Sequence, residues 1–490
     1  MSQLTIDRML HDRARITPHR VAIVERDRRW SYAQLDDRSE ELASGLTHGA
    51  RISTLTGNSG EHAALMFACA KAGAILHPIS WRLAPAEVAY QLDDAEPDAF
   101  LISDEHRRLG EAALELAHVQ PALELGRGGS PARPDAEDPL LLIYTSGTTG
   151  KPKGALLTHA NCFWTNLSFD LATGLRQDDV VLQVLPQFHC GGWNVQSILG
   201  WWKGATVVIE PGFDAAHALD LIEREGITTM MGVPANYLFM SHEPRFASAD
   251  LTTLRLAVVG GASMPEALLA VWAERGVAIV QGYGLTEAAP NVLCLAPEDA
   301  TRKAGYAGKP YPYVTCDLSD EGELLVRGPN VFPGYWRNEE ATANAFHDGW
   351  LLTGDIAERD DEGNYRIFGR LKDMVVSGGE NIYPAEIEAV LHEHPAVADA
   401  AVIGVPDERW GEVCVAFVVL DVPVSEEDLR RHCVDRLARF KVPKAFHVVD
   451  ELPRNSMGKI QKSELHRSGA GKPAPAPTGS VEPTPEATTT

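Results

Sequence analysis

The residues of this chain best suited to chemistry fall into short runs, the first being YTSGTTGKPKGA, which begins at Tyr144. Backbone N–H groups in a glycine-rich turn converge on an anion, threonine and serine hydroxyls add neutral donors, and lysine adds charge. Such a run can hold the phosphates of a nucleoside triphosphate. It is not the G-x-x-x-x-G-K-[ST] loop, because only two residues separate Gly147 from Gly150, and a P-loop NTPase is therefore disfavoured. The alternative, a plain surface loop, accounts poorly for hydroxyls, glycines and lysines gathered in one place. Far downstream, the run PRNSMGK ends in Lys459. A lysine near a C-terminus is ordinarily a solubility residue, but this glycine-flanked one fits a cation carried on a mobile element. An ammonium placed between a carboxylate and an α-phosphate lowers the repulsion of two anions in a partly dry site. The two runs together suggest a site in two pieces that activates carboxylates.

These groups need a scaffold, and the hydrophobic pattern predicts an α/β one. Residues 140–144 form a short apolar run that turns into Thr, Ser and Gly, as a buried strand leading to a ligand loop does. Residues 254–259 end in Gly260 and Gly261, and residues 277–280 end in Gln281, Gly282, Tyr283 and Gly284. Ligands of open α/β sheets gather beyond the carboxyl ends of the strands, so three such ends point to one crevice. Thr158 is placed to cap a helix. After residue 369 the character changes: residues 383–391 have helical spacing, and residues 400–405 and 413–420 read as strands. The expected organisation is a large N-terminal domain of α/β subdomains over 1–369, a hinge at 370–373 and a small mobile α+β domain over 374–467. Residues 468–490 are Pro, Ala, Thr and Gly with almost no large apolar side chain, and a disordered tail is expected there.

Bulk properties narrow the function classes. The chain has 490 residues, 44% of them apolar, which is too long for one ordinary core. Its formal net charge is −24, from 68 acidic against 44 basic residues, so nucleic acid and anionic membrane surfaces are repelled overall. The seven cysteines are scattered and never in C-x-x-C spacing, which disfavours a zinc site or a disulfide framework. The first twenty residues carry charges and no apolar h-region, and no run reaches the length of a membrane span. A cytoplasmic enzyme without stable membrane insertion is the expectation.

The motifs closely resemble those of the adenylate-forming superfamily, which includes acyl-CoA synthetases, nonribosomal adenylation domains and beetle luciferases. The resemblance covers about residues 5–466. Besides the two runs above it rests on GGASMP from Gly260, QGYGLTEAAP from Gln281, GWLLTGD from Gly349 and GRLKDMVVSGGENIYPAEIE from Gly369. It implies that Thr145, Ser146, Gly147, Thr148, Thr149 and Lys153 hold the β- and γ-phosphates of ATP, with Glu287 and Thr149 holding Mg²⁺ and Thr286 and Gly284 beside them. Tyr283 offers an aromatic face to adenine, while Gly261 and Ala262 allow close backbone approach to its edge. Asp355 matches the ribose-binding aspartate, since a carboxylate accepts from both hydroxyls. Arg370 resembles the arginine that contacts ribose and phosphate. Lys372 falls where such proteins pivot the C-terminal domain, and Lys459 serves the first half-reaction. His189 resembles a mobile group near the substrate carboxylate, although a satisfied core histidine is also compatible. Trp193, Tyr237 and the backbone at Gly284 are expected to line an acyl pocket.

The resemblance further implies a second half-reaction. Once acyl-AMP has formed, the C-terminal domain rotates about Lys372 and brings Gly378 and Gly379 to the site, where glycine lets a pantetheine arm pass close to backbone. The expected function is an ATP-dependent acyl-CoA ligase: carboxylic acid and ATP give acyl-AMP and pyrophosphate, and coenzyme A then displaces AMP. Two alternatives stay open: an adenylating enzyme that loads a carrier protein, and an enzyme that performs only thioesterification of a preformed adenylate. The acid is a small hydrophobic molecule of unspecified kind, and a monomer or a homodimer fits equally.

Overall fold

A computed structural model of the chain describes residues 4–126, 129, 132–145, 151–377, 380–407, 409–454 and 460–467. They form two compact units that divide between Ile367 and Phe368, within the strand Tyr365–Arg370.

The large unit contains three sheets. In a nine-stranded sheet the strands Ile279–Gly284, Leu256–Val259, Thr229–Gly232, Val180–Gln183, Thr206–Ile209 and Val21–Glu25 run parallel in that spatial order. Antiparallel strands close both edges, Asn291–Cys294 and Lys309–Pro310 on one side and Arg28–Ser31 on the other. The parallel strands read as continuous apolar runs because both faces are covered: Ala257 packs in one hydrophobic cluster and its neighbours Leu256 and Val258 in another. In a six-stranded sheet the strand Pro139–Thr145 lies between the parallel Ile75–Pro78 and the antiparallel Lys153–Thr158, with Gly334–Tyr335 on the outer edge. A five-stranded sheet holds Trp350–Arg359 beside Glu323–Arg327.

Local signals behave as their chemistry requires. Thr158 caps the helix His159–Thr173 in a reciprocal box: its hydroxyl accepts from the Asn161 N–H at 3.1 Å, and Asn161 Oδ1 accepts from the Thr158 N–H at 3.0 Å. Gly174, at φ +62°, ends that helix in the left-handed region.

The small unit is α+β. Strands Val397–Asp407 and Gly411–Leu420 form a long antiparallel hairpin, Val375–Ser377 and Glu380–Ile382 extend it, and Ala445–Val448 pairs in parallel with Gly411–Leu420. Along the first hairpin strand Ala400 and Val402 enter one core with Ile387, Leu391 and Leu429, whereas Ala401, Ile403 and Val405 enter another with Leu452 and Leu465. Burial of each such valine, isoleucine or leucine side chain is worth about 1.5–3 kcal/mol, which explains a strand apolar at consecutive positions. The helix Pro384–His392 stands where helical spacing predicts it.

All seven cysteines are buried and free. Among the described residues no helix is long and apolar enough to cross a membrane, and no group of His, Cys, Asp and Glu is arranged to hold a metal by itself. The tail at 468–490 lies outside the described residues.

Candidate active site

The strand Ile279–Gly284 carries the centre of the site at its carboxyl end. It turns back into Asn291–Cys294 through a 3₁₀ turn, Thr286–Ala288, with the Leu285 N–H donating to the Pro290 carbonyl at 3.1 Å. Gly284 is required by contact: a Cβ there would stand 1.8 Å from the Pro290 oxygen. The turn is clamped from outside. Asn330 Nδ2 donates to the carbonyls of Ala288 and Asn291, both at 2.9 Å, and Asn161 Nδ2 donates to those of Pro329 and Val331 at 3.0 and 2.9 Å. The Phe332 N–H then donates to the Glu287 carbonyl at 2.9 Å. The backbone of Glu287 is thus fixed before its side chain is considered.

Its carboxylate, partly exposed, meets two hydroxyls from the six-stranded sheet. Tyr335 Oη donates to Glu287 Oε1 at 2.7 Å, and Thr145 Oγ1 reaches the same oxygen at 3.5 Å. Thr145 ends the strand that leads into the 144–154 run and pairs across the hairpin with Lys153, whose Nζ lies 5.3 Å from the Tyr335 ring centroid. A lysine and a carboxylate therefore meet at one phenol, and the threonine reaches the same carboxylate oxygen.

Tyr283 and Asp355 are brought together from different sheets. Tyr283 Oη donates to Asp355 Oδ2 at 2.5 Å, and the Asp355 N–H donates to Thr353 Oγ1 at 3.1 Å, which in turn donates to the Leu324 carbonyl. Asp355 is buried. Gly261, at φ +80°, and Ala262 are exposed beyond the neighbouring strand Leu256–Val259. Their loop is tied to the Tyr283 strand by Gln281, whose Oε1 accepts from the Met264 N–H at 3.2 Å while its Nε2 donates to the Tyr306 carbonyl at 3.0 Å.

Of the residues expected to line an acyl pocket, Trp193 and Tyr237 are buried. Tyr237 has no exposed surface; it stacks edge-on against Trp272, and its hydroxyl donates to the Val258 carbonyl at 2.8 Å. It is a core residue that braces parallel strands, because a buried phenol is held by whatever carbonyl it reaches. Trp193 is likewise fully buried, edge-on to the His62 ring. His189 caps the short helix Cys190–Asn194 without a side-chain bond and lies against Phe188, with ring centroids 4.6 Å apart. Its Nε2 is buried with no partner among the described residues. Burial, and then the nearby positive Arg82, hold its pKa down at about 3, so the ring is neutral.

Ser146, Gly147, Thr148, Thr149, Gly378, Gly379 and Lys459 lie outside the described residues. Arg370, at the end of its strand, and Lys372, in the turn Leu371–Asp373, belong to the small unit. Three positioning residues escaped the sequence reading. Tyr335 owes its place to a two-residue pairing with the strand Lys153–Thr158, a signal too short for any periodicity. Asn330 and Asn161 act on backbone carbonyls distant in sequence, and composition does not report that.

Comparison with known proteins decides the family. Residues 10–336 match the model of the AMP-binding enzyme family, and residues 386–459 match that of the AMP-binding enzyme C-terminal domain. The chain belongs to the AMP-binding enzyme family. It is 40% identical to the feruloyl-CoA synthase of an Amycolatopsis species, over 93% of this chain and 97% of that protein. It is 41% identical to the indoleacetate–CoA ligase of Aromatoleum aromaticum, over 94% and 97%. The solved structure of O-succinylbenzoate coenzyme A synthetase from Bacillus subtilis, in complex with ATP and magnesium ion, superposes with a TM-score of 0.85 at 32% identity, covering 94% of this chain and 99% of that one.

Proposed function

We infer that this AMP-binding enzyme is an ATP-dependent acyl-CoA ligase whose acid carries an aromatic ring. The observation that carries the reading is the set of groups at the end of one strand: the Tyr283–Asp355 pair on one side, and Glu287 with Thr145 and Lys153 on the other. That set suits a nucleotide, with a ring and a ribose acceptor at one end and phosphate and cation groups at the other. Two relatives of 40–41% identity are named for feruloyl and indoleacetate substrates, which favours an aromatic acid over other hydrophobic acids.

Tyr283 stacks on adenine, Asp355 accepts from ribose, and Gly261 and Ala262 present backbone to the base edge. Thr145 and Lys153, with Ser146, Gly147, Thr148 and Thr149, hold the phosphates; Arg370 contacts ribose and phosphate. The residues present fit a magnesium ion: a hard cation takes oxygen ligands, and among the described residues both donors to Glu287 meet Oε1, leaving Oε2 without one. Bound magnesium neutralises phosphate charge during transfer. Lys459 supplies the ammonium for adenylation, and the segment at Gly378 and Gly379 borders the path of the coenzyme A thiol. His189, uncharged, adds no cation beside the carboxylate. The small domain turns at 370–373. The protein works in the cytoplasm as a monomer or homodimer.

The test is release of pyrophosphate and of acyl-CoA across a panel of aromatic, aliphatic and polycyclic acids. Aromatic acids yield both products. Pyrophosphate without thioester when coenzyme A is present, or thioester only from supplied acyl-AMP, would overturn the two-step reading.

A further inference from the structure

The Tyr335 phenol meets both charged ends of the phosphate region. Its ring lies beneath Lys153 Nζ, 5.3 Å from the centroid, and its hydroxyl donates to Glu287 Oε1 at 2.7 Å. The residue is also held by groups other than these two side chains. The Tyr335 N–H donates to Thr342 Oγ1 at 2.9 Å, its backbone pairs with Ala155, and Phe332 packs edge-on against it at 4.9 Å.

We propose that Tyr335 is a positioning residue for the metal-nucleotide: by holding Oε1 of Glu287 it presents the second carboxylate oxygen to the cation, and by its ring face it sets Lys153 toward the phosphates. A free glutamate rotates about its terminal torsion and offers either oxygen, and its preferred pose costs entropy when a cation binds. A hydroxyl anchored on a strand removes that freedom. The cation over the ring face also draws electron density from the phenol, which strengthens its O–H as a donor. Lysine and glutamate carry opposite charge, one over the ring face and the other at the hydroxyl of the same side chain, so their separation is set by the tyrosine rather than by the bound ligand. The inference rests on the reading of Glu287 as the magnesium-holding carboxylate.

The experiment is calorimetric titration of ATP into the full chain at a series of magnesium concentrations, with no acid present, so that binding and not turnover is read. Tyr335→Phe removes the hydroxyl but keeps the ring, and it raises the magnesium concentration needed for half-maximal ATP affinity about tenfold, the ordinary worth of a hydrogen bond to a charged group. ATP affinity without magnesium is unchanged in that variant. Tyr335→Leu removes both contacts and also weakens magnesium-free ATP binding. Glu287→Gln is the control for the underlying reading, and adding Tyr335→Phe to it produces no further shift. If Glu287→Gln leaves the magnesium midpoint unmoved, the assignment of Glu287 fails and the proposal with it. If Glu287→Gln moves the midpoint and Tyr335→Phe does not, the assignment stands and the positioning role is refuted. A Tyr335→Phe protein with a lowered melting temperature and an unaltered midpoint has lost only packing, which likewise refutes it.

Discussion

Tyr283 and Asp355, which come from different sheets and are separated by some seventy positions, share a hydrogen bond from phenol to carboxylate at 2.5 Å. The residue proposed to stack on adenine therefore orients the residue proposed to accept from ribose. Asp355→Ala is expected to weaken AMP binding about 10- to 100-fold, the range for hydrogen bonds to a charged group. Tyr283→Phe keeps the stacking face and weakens it less. Equilibrium dialysis with AMP checks both, and equal affinity in the Asp355 variant and the parent would remove the aspartate from the site.

Gly284 and Gly282 stand two residues apart in one strand, yet their surroundings differ. A Cβ at 284 lands 1.8 Å from the Pro290 oxygen, whereas at 282 the nearest atom is 3.6 Å away. Gly284→Ala is expected to lower stability by about 1–3 kcal/mol or more through overpacking. Gly282→Ala costs little. Paired denaturant unfolding curves measure the contrast, and equal midpoints would show that the turn relaxes freely.

Lys459→Ala is expected to slow pyrophosphate release at least about 10²-fold, as removal of one charge-stabilising donor does. Thioester formation from supplied acyl-AMP is spared. Equal loss in the two assays would end the argument that this lysine serves adenylation alone.

His62 and His159 are buried in the large unit, where desolvation lowers each pKa from 6.5 to about 4. His62 bonds Thr54 and Gln187, and His159 Nδ1 accepts from the Ile6 N–H. The unfolded chain takes up a proton near pH 6.5 that the folded chain refuses. Their contribution is thus fully present above pH 6.5 and is lost as pH falls toward 4, by about 2 kcal/mol each at pH 5. In melting curves recorded from pH 8 to 5, the stability of the parent relative to His62→Gln should decline as pH falls. A difference independent of pH would mean that His62 titrates normally.

The apolar runs at 140–144, 254–259 and 277–280 were legible because each is a local pattern: a continuous apolar run, then residues that turn. Thr158 was legible as a cap for the same reason. The roles of Trp193 and Tyr237 were not. An aromatic side chain fits a pocket wall and a core equally well, and only the packing of Trp272 and His62 against them distinguishes the two. Tyr335, Asn330 and Asn161 carry no local signature, since each acts on a partner brought close by the pairing of strands remote in sequence.

By itself the sequence determined the family, the nucleotide-binding character of the chain and the ends of the strands where its reactive groups lie, because those depend on residue type and near-neighbour spacing. Only the tertiary structure decided that Glu287 leans on Tyr335, that Tyr283 holds Asp355, and which aromatic residues are core. Side-chain hydrogen bonds between sheets depend on relative orientation in three dimensions, and a linear pattern contains no term for it.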